Sequence, residues 1–239
     1  MKIISFIICP FVQRVTALLE AKQQPYEIEY INLSDKPQWF LDISPNGQVP
    51  LLITDSGTAL FESEAIIEYL DDISPPLQPE ITPEQRALNR AWSYLASKNY
   101  LVQCSTMRSP DESTLHQRTD QLKKAFTRIE TALGQGSFFK GKTLSNVDIA
   151  WLPLLHRAYI ICEQTRYDML TDHPKVQNWQ KALIQTGLPG KSVSANFTNA
   201  FKNFYLSEKT YLGQAMRTHK NQSDGKVALS RDQDSKCCA

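Results

Sequence analysis

Ile3-Ile4-Ser5-Phe6-Ile7-Ile8-Cys9-Pro10-Phe11-Val12-Gln13-Arg14 stands near the start of the chain, and its reading decides the fold. The run of β-branched and aromatic residues before Cys9 reads as a short buried strand. Proline is favoured at the first position of a helix, where its missing N–H costs nothing. Val12, Val15, Leu18 and Leu19 then fall on one face at helical spacing. Cys9 is thereby placed at a strand-to-helix turn, with its sulfur near free N–H groups and the positive end of the helix dipole.

Two readings of Cys9 follow from this pattern: a poised thiolate, or a small buried hydrophobe that closes the strand. An ordinary thiol with a pKa near ~8.5 is about 3% ionised at pH 7, whereas a pKa of about 6 makes it roughly 90% thiolate. That difference corresponds to about 3.4 kcal/mol. A helix terminus supplies ~0.3–1 kcal/mol, or up to ~2 when partly buried. The dipole is too small by itself, so N–H···S hydrogen bonds from the first helical turn must supply the remainder.

Composition narrows the field. At 239 residues the chain has room for one large or two small domains. Its net charge of +1 gives no polyelectrolyte signal, so neither nucleic acid nor an anionic membrane is expected as a partner. Five cysteines, an odd number with Cys9, Cys104 and Cys162 isolated, make no disulfide framework, no Cys–His pair has zinc-ligand spacing, and no metal is expected. A reducing, cytoplasmic setting fits this cysteine usage. The apolar stretch before Cys9 is shorter than a secretory h-region. Lys236-Cys237-Cys238-Ala239 is not a prenylation box, because lysine stands where the cysteine is required.

The first ~75 residues alternate in type. Tyr26-Glu27-Ile28-Glu29-Tyr30-Ile31 reads as a second strand, and Ser34 to Leu41 as a short helix with Pro37 just inside. Val49-Pro50-Leu51-Leu52-Ile53 and Thr58-Ala59-Leu60-Phe61 read as a hairpin, followed by a helix from Glu62 to Ile73. The order β-α-β-α-β-β-α resembles that of a thioredoxin-like module. Prolines from Ser74-Pro75-Pro76 to Thr82-Pro83 mark a linker over 76–83. Beyond it the helical candidates are 84–105, 112–134, 146–165, 174–186 and 194–206, which makes residues 84–208 an all-helical second domain. Residues 209–239 are polar and are expected to be disordered.

Three further places carry possible chemistry. Val49-Pro50 is either an ordinary edge proline or a cis bond, and only ~5–6% of X–Pro bonds are cis. Glu62-Ser63 opens a helix, either as a plain cap or as a receptor for the carboxylate and ammonium of an amino-acid head group. Ser145-x-x-Asp148 has the spacing of a capping box. Trp92, Tyr94, Tyr100 and Met107 could line a pocket or pack as core, and His156 on an apolar helix reads as a core histidine.

Taken in order, five segments resemble the cytosolic glutathione transferase superfamily in its cysteine-type members, the omega class and the dehydroascorbate reductases. They are Cys9 to Arg14, Asn32 to Phe40, Asn46-Gly47-Gln48-Val49-Pro50, Leu60-Phe61-Glu62-Ser63 and Leu144 to Ala150. The resemblance implies a thioredoxin-like domain over 1–75 ahead of the helical domain, a cis Val49–Pro50 bond, and glutathione as co-substrate. It implies that Cys9 forms a mixed disulfide with glutathione, that Phe11 lines the tripeptide site, and that Lys36 approaches the glycyl carboxylate. The Val49 backbone, beside Pro50, would pair with the cysteinyl portion, and Glu62 and Ser63 would hold the γ-glutamyl end. Trp92, Tyr94 and Tyr100 are the candidate acceptor pocket, while Ser145 and Asp148 have a folding role. A homodimer is implied by analogy.

Val12 occupies the place where a dithiol oxidoreductase carries its second cysteine, so a second glutathione must resolve the adduct. The expected activity is thiol transfer or reduction: deglutathionylation, or reduction of dehydroascorbate or a small disulfide. The alternatives are a non-catalytic binding or regulatory protein of the same fold and a conventional conjugating transferase or isomerase.

Overall fold

The structure, a computed structural model, describes residues 1–224, with side chains through 217. The first part of the chain builds β1 (Lys2–Ser5), α1 (Pro10–Ala21), β2 (Glu27–Tyr30), α2 (Gln38–Ile43), β3 (Leu51–Ile53), β4 (Ala59–Phe61) and α3 (Ser63–Asp72). The strands form one sheet in the order β2-β1-β3-β4, with β1 parallel to β2 and the other pairs antiparallel. Ile3 sits opposite Ile28 on one side and Leu52 on the other. A helical part follows: α4 (Pro83–Lys98), α5 (Tyr100–Met107), α6 (Glu112–Ala132), α7 (Asn146–Thr165), α8 (Pro174–Gln185), α9 (Leu188–Lys191), α10 (Phe197–Tyr205) and α11 (Tyr211–Asp224). The fold is therefore α/β plus all-α: a thioredoxin-like domain followed by a helical one.

The apolar run that opens the chain is longer than its strand. β1 stops at Ser5 because the Cys9 N–H turns back to Phe6 O at 2.9 Å. Ile3 and Ile4 pack in the two clusters on either side of the sheet, while Ile8 is buried in the large core of the helical part. One segment thus feeds three cores.

α1 buries Val12, Val15, Leu18 and Leu19, as its spacing predicts, and also Gln13, Arg14 and Thr16. Those polar side chains are covered because α1 lies between α3 and α7, and each has a partner across a boundary. Arg14 pairs with Glu64 of α3 at 2.5 Å, and Glu64 in turn accepts from Ser97 Oγ of α4 at 2.5 Å. Thr16 Oγ1 donates to Ser192 O at 2.7 Å. Lys22 pairs with Asp71 at 2.7 Å, and the Asn146 amide donates to the same carboxylate.

Two expectations need correction. The helix expected over 84–105 is broken at Asn99, whose side-chain amide donates to Leu95 O at 2.7 Å where the backbone passes from α4 to α5. The expectation of disorder over 209–239 fails for its first part. Thr210 and Leu212 are buried, the Tyr211 N–H donates to Ser109 O at 2.8 Å, and α11 packs on α7. A Cβ on Gly213 would stand 2.1 Å from Ser207 O, so this approach requires glycine. A short apolar set, Tyr211, Leu212 and Met216, docks the helix despite its polar composition. Residues 225–239, with Cys237-Cys238, lie outside the described residues.

Candidate active site

Cys9 is the N-cap of α1, with extended backbone (φ −71°, ψ 123°) and Pro10 as the first helical residue. Its sulfur faces the N–H groups of Phe11 and Val12, and Sγ lies 4.0 Å from Val49 O. The turn therefore has the geometry that the sequence predicts. The charge balance differs. Burial pushes the Cys9 thiol up to about 11, against the N–H groups of Val12 and Phe11 and the nearby Arg157 charge, all of which pull it down. In the unliganded protein the helix terminus does not outweigh desolvation, and Cys9 is a thiol at neutral pH.

Two cavities meet at this turn. The smaller, of about 140 Å³, is walled by Asn46, Val49, Pro50, Glu62 and Ser63. The Val49–Pro50 bond is cis. Glu62 is the N-cap of α3 at φ 64°, ψ 119°, a strained setting for a non-glycine residue, and its carboxylate accepts from Asn46 Nδ2 at 2.8 Å. Ser63 is buried as the first residue of α3, whose end offers free N–H groups. Lys36 does not line this cavity; its Nζ lies against Gly47, between the lining residues Asn46 and Gln48.

The larger cavity, of about 520 Å³, contains Cys9, with Leu33 on one side and Leu101, Cys104, Phe204 and Tyr205 on the other. Phe11 and Leu101 line both cavities and so form the partition between them. The Phe11 ring is held edge-on against Tyr100, with centroids 5.0 Å apart.

Three residues expected in an acceptor pocket line neither cavity. Tyr100 is fully buried and its hydroxyl donates to Ala150 O at 2.5 Å. Trp92 packs on the helical core beside Phe139, and its carbonyl accepts from Trp151 Nε1 at 3.1 Å. Tyr94 is exposed on α4. Met107 is core. The break at Asn99 turns α5 so that Leu101 and Cys104, three residues apart, face the cavity in their place.

A model of the glutathione S-transferase N-terminal domain matches residues 8–73, and one of the C-terminal domain matches residues 112–182. Glutathione S-transferase omega-1 of Rattus norvegicus is 32% identical over 213 residues, covering 87% of this chain and 86% of the rat protein. The chain belongs to the glutathione S-transferase family. Glutathione S-transferase DHAR2 of Arabidopsis thaliana is 32% identical over 179 residues, or 74% of this chain and 79% of that one. Among solved structures, glutathione transferase Omega 3C of Trametes versicolor superposes with a TM-score of 0.71 at 26% identity, covering 85% of this chain and 89% of that one.

Sequence reasoning passed over a residue that dominates the electrostatics of this transferase. Arg157 of α7 is fully buried, and the described residues give it no carboxylate partner. Its guanidinium donates to Ile8 O at 2.9 Å, to Gln13 Oε1 at 2.5 Å and to Pro153 O at 3.0 Å. The signal was available: an arginine beside His156 inside the largely apolar stretch Ala150 to Ile161 is costly unless it is hydrogen-bonded. Gln13 Nε2 donates to His156 Nδ1 at 2.8 Å, and the imidazole stacks on Phe197. Burial and the Arg157 charge lower the His156 pKa to about 3, so His156 is neutral and structural.

The Ser145-x-x-Asp148 box closes α7 from its N-terminus. Asp148 accepts from Ser145 N and Oγ (2.8 and 2.6 Å), from Phe139 N at 2.8 Å and from Trp179 Nε1 at 2.6 Å. Among the described residues no cluster of His, Cys, Asp and Glu could hold a metal ion, and no helix is long and apolar enough to cross a membrane.

Proposed function

We propose that this transferase is a glutathione-dependent thiol transferase or reductase that works through a Cys9–glutathione mixed disulfide. One observation carries the reading: a free cysteine, with Val12 in place of a second thiol, stands on a helix N-terminus where two cavities of different character meet. In the smaller cavity glutathione takes its γ-glutamyl end to Glu62 and Ser63, its cysteinyl portion to the Val49 backbone beside Pro50, and its glycyl carboxylate toward Lys36. Phe11 forms the wall between tripeptide and acceptor. Residues 1–75 thus hold glutathione, and residues 84–208 supply the acceptor side.

In the first step Cys9 gives up its proton to solvent and the resulting thiolate attacks the glutathionyl sulfur of a mixed disulfide. The Cys9–sulfur bond forms, the old disulfide breaks, and the acceptor thiolate leaves. A second glutathione thiolate then attacks the adduct, releasing oxidised glutathione and restoring Cys9. The two electrons come from glutathione. The same adduct forms when a small oxidant such as dehydroascorbate takes up two electrons from Cys9 and glutathione. The reading includes a cytoplasmic homodimer, to be checked by light scattering and cell fractionation.

Treatment with oxidised glutathione, followed by intact and peptide mass spectrometry, tests the assignment. One glutathione on Cys9 is expected, with loss of reductase activity in Cys9→Ser. Full activity in that variant would reject the mechanism.

A further inference from the structure

We propose that the larger cavity selects acceptors bearing a carboxylate or similar anion on an apolar body. The inference rests on the thiol-transfer reading above and specifies what that site accepts.

The cavity walls are apolar through Phe6, Leu33, Leu101 and Phe204, yet two arginines, Arg108 and Arg118, also line it and no aspartate or glutamate does. Arg108 closes α5, with its guanidinium over the Phe204 ring at 5.3 Å from the centroid. Stacking of this kind holds the plane of the cation and leaves its N–H edges free to meet a carboxylate. Arg118 reaches across from α6, where Nη1 donates to Ser105 O at 2.8 Å, so its position is fixed by the last turn of α5. Neither arginine is in an ion pair among the described residues. Asp111, the acid near Arg118, spends its carboxylate on Thr114 N and Oγ1 at 2.8 and 3.0 Å as the cap of α6.

Two guanidinium groups outside any ion pair, of which only Arg118 feels a nearby carboxylate, that of Asp111, attract an anion into an apolar-walled recess and repel a cation, and they discriminate more than they bind. The leaving group benefits as well. When Cys9 takes the glutathionyl sulfur from a mixed disulfide, the other sulfur departs as a thiolate on this side of the partition, where positive charge is already in place.

The test uses glutathione mixed disulfides of three aromatic thiols of similar size: thionitrobenzoate (anionic), nitrothiophenol (neutral) and a trimethylammonium-substituted thiophenol (cationic). With glutathione as reductant, kcat/KM is expected to fall in that order, with the anionic-to-neutral ratio about tenfold and shrinking as salt is added. In Arg108→Gln, and in Arg108→Gln/Arg118→Gln, the ratio is expected to approach one. A flat order in the wild type overturns the proposal, as does an order that survives both variants. A rise in the KM of glutathione with the acceptor order intact assigns the arginines to glutathione and overturns it too. Failure of the wild type to turn over any disulfide strikes the thiol-transfer reading instead. Calorimetry with para-nitrobenzoate against para-nitrobenzamide then decides the cavity: arginine-dependent preference for the benzoate supports the anion site, and equal or absent binding rejects it.

Discussion

The Arg157 guanidinium donates to the Ile8 carbonyl at 2.9 Å, which puts a buried, carboxylate-free cation one residue before Cys9. An anion on that side would complete a pair; Cys104, Tyr205 and Cys9 all stand near enough to act on its charge, and Cys9, as a thiolate, is the one at the helix N-terminus. Burial itself opposes the charge of Arg157 and lowers its pKa, so the two ionised groups support each other.

Cys9 alkylation by iodoacetamide in the ligand-free protein should therefore still be accelerating above pH 9, in line with a thiol pushed up to about 11. Replacing Arg157 by Met removes a charge that pulls Cys9 down, and the profile should move up by roughly one pH unit or more. Arg157→Lys should recover part of the difference. A profile that is the same in all three folded proteins would show that Arg157 serves packing alone.

His156 makes the protein acid-sensitive. Its folded pKa of about 3 lies below the ordinary 6.5, so the unfolded chain binds the extra proton first. The stability that this contributes is complete above pH 6.5 and is lost as the pH falls toward 3. Urea midpoints measured across that window should fall more steeply for the wild type than for His156→Gln, and parallel curves would refute the assignment.

Asp148→Ala leaves four donors facing a buried gap and should cost about 3–5 kcal/mol in urea unfolding. Asp148→Asn keeps one acceptor oxygen and should cost less. A loss under ~1 kcal/mol in the alanine variant would contradict the role given to this carboxylate.

Glu62→Gly should move stability and function in opposite directions. Glycine relieves a backbone at φ 64°, worth about 1 kcal/mol. It also removes the carboxylate proposed to meet the γ-glutamyl ammonium, and the KM for glutathione should rise about tenfold or more. An unchanged KM would remove Glu62 from the site.

What the sequence made legible was local. The β1–α1 junction, the apolar face of α1 and the Ser145–Asp148 box are each written within about ten residues, and the structure has them where the spacing puts them. The far wall of the large cavity was not legible. Leu101, Arg118 and Phe204 come from three helices spread over about a hundred residues, and no spacing in one helix announces that they converge. Beyond the break at Asn99, α5 turns Tyr100 into the core and Leu101 and Cys104 to the cavity, a phase that the residue types alone do not announce. α11 was missed for a different reason: three apolar residues suffice to dock a helix that mean composition assigns to solvent.

The division of Ile3, Ile4 and Ile8 among three cores has a consequence for assembly. The turn that carries Cys9 is a seam between two folding units, and it has no native surroundings until both have formed. A fragment ending at the linker could complete its sheet and still present Cys9 beside an unpacked Ile8 and a carbonyl without its guanidinium. The surroundings of Cys9 are thus finished only when both units are in place. A partly folded form leaves the thiol closer to its ordinary range, and docking of the helical unit buries it and pushes it up, so slow alkylation of Cys9 reports that the whole molecule has assembled.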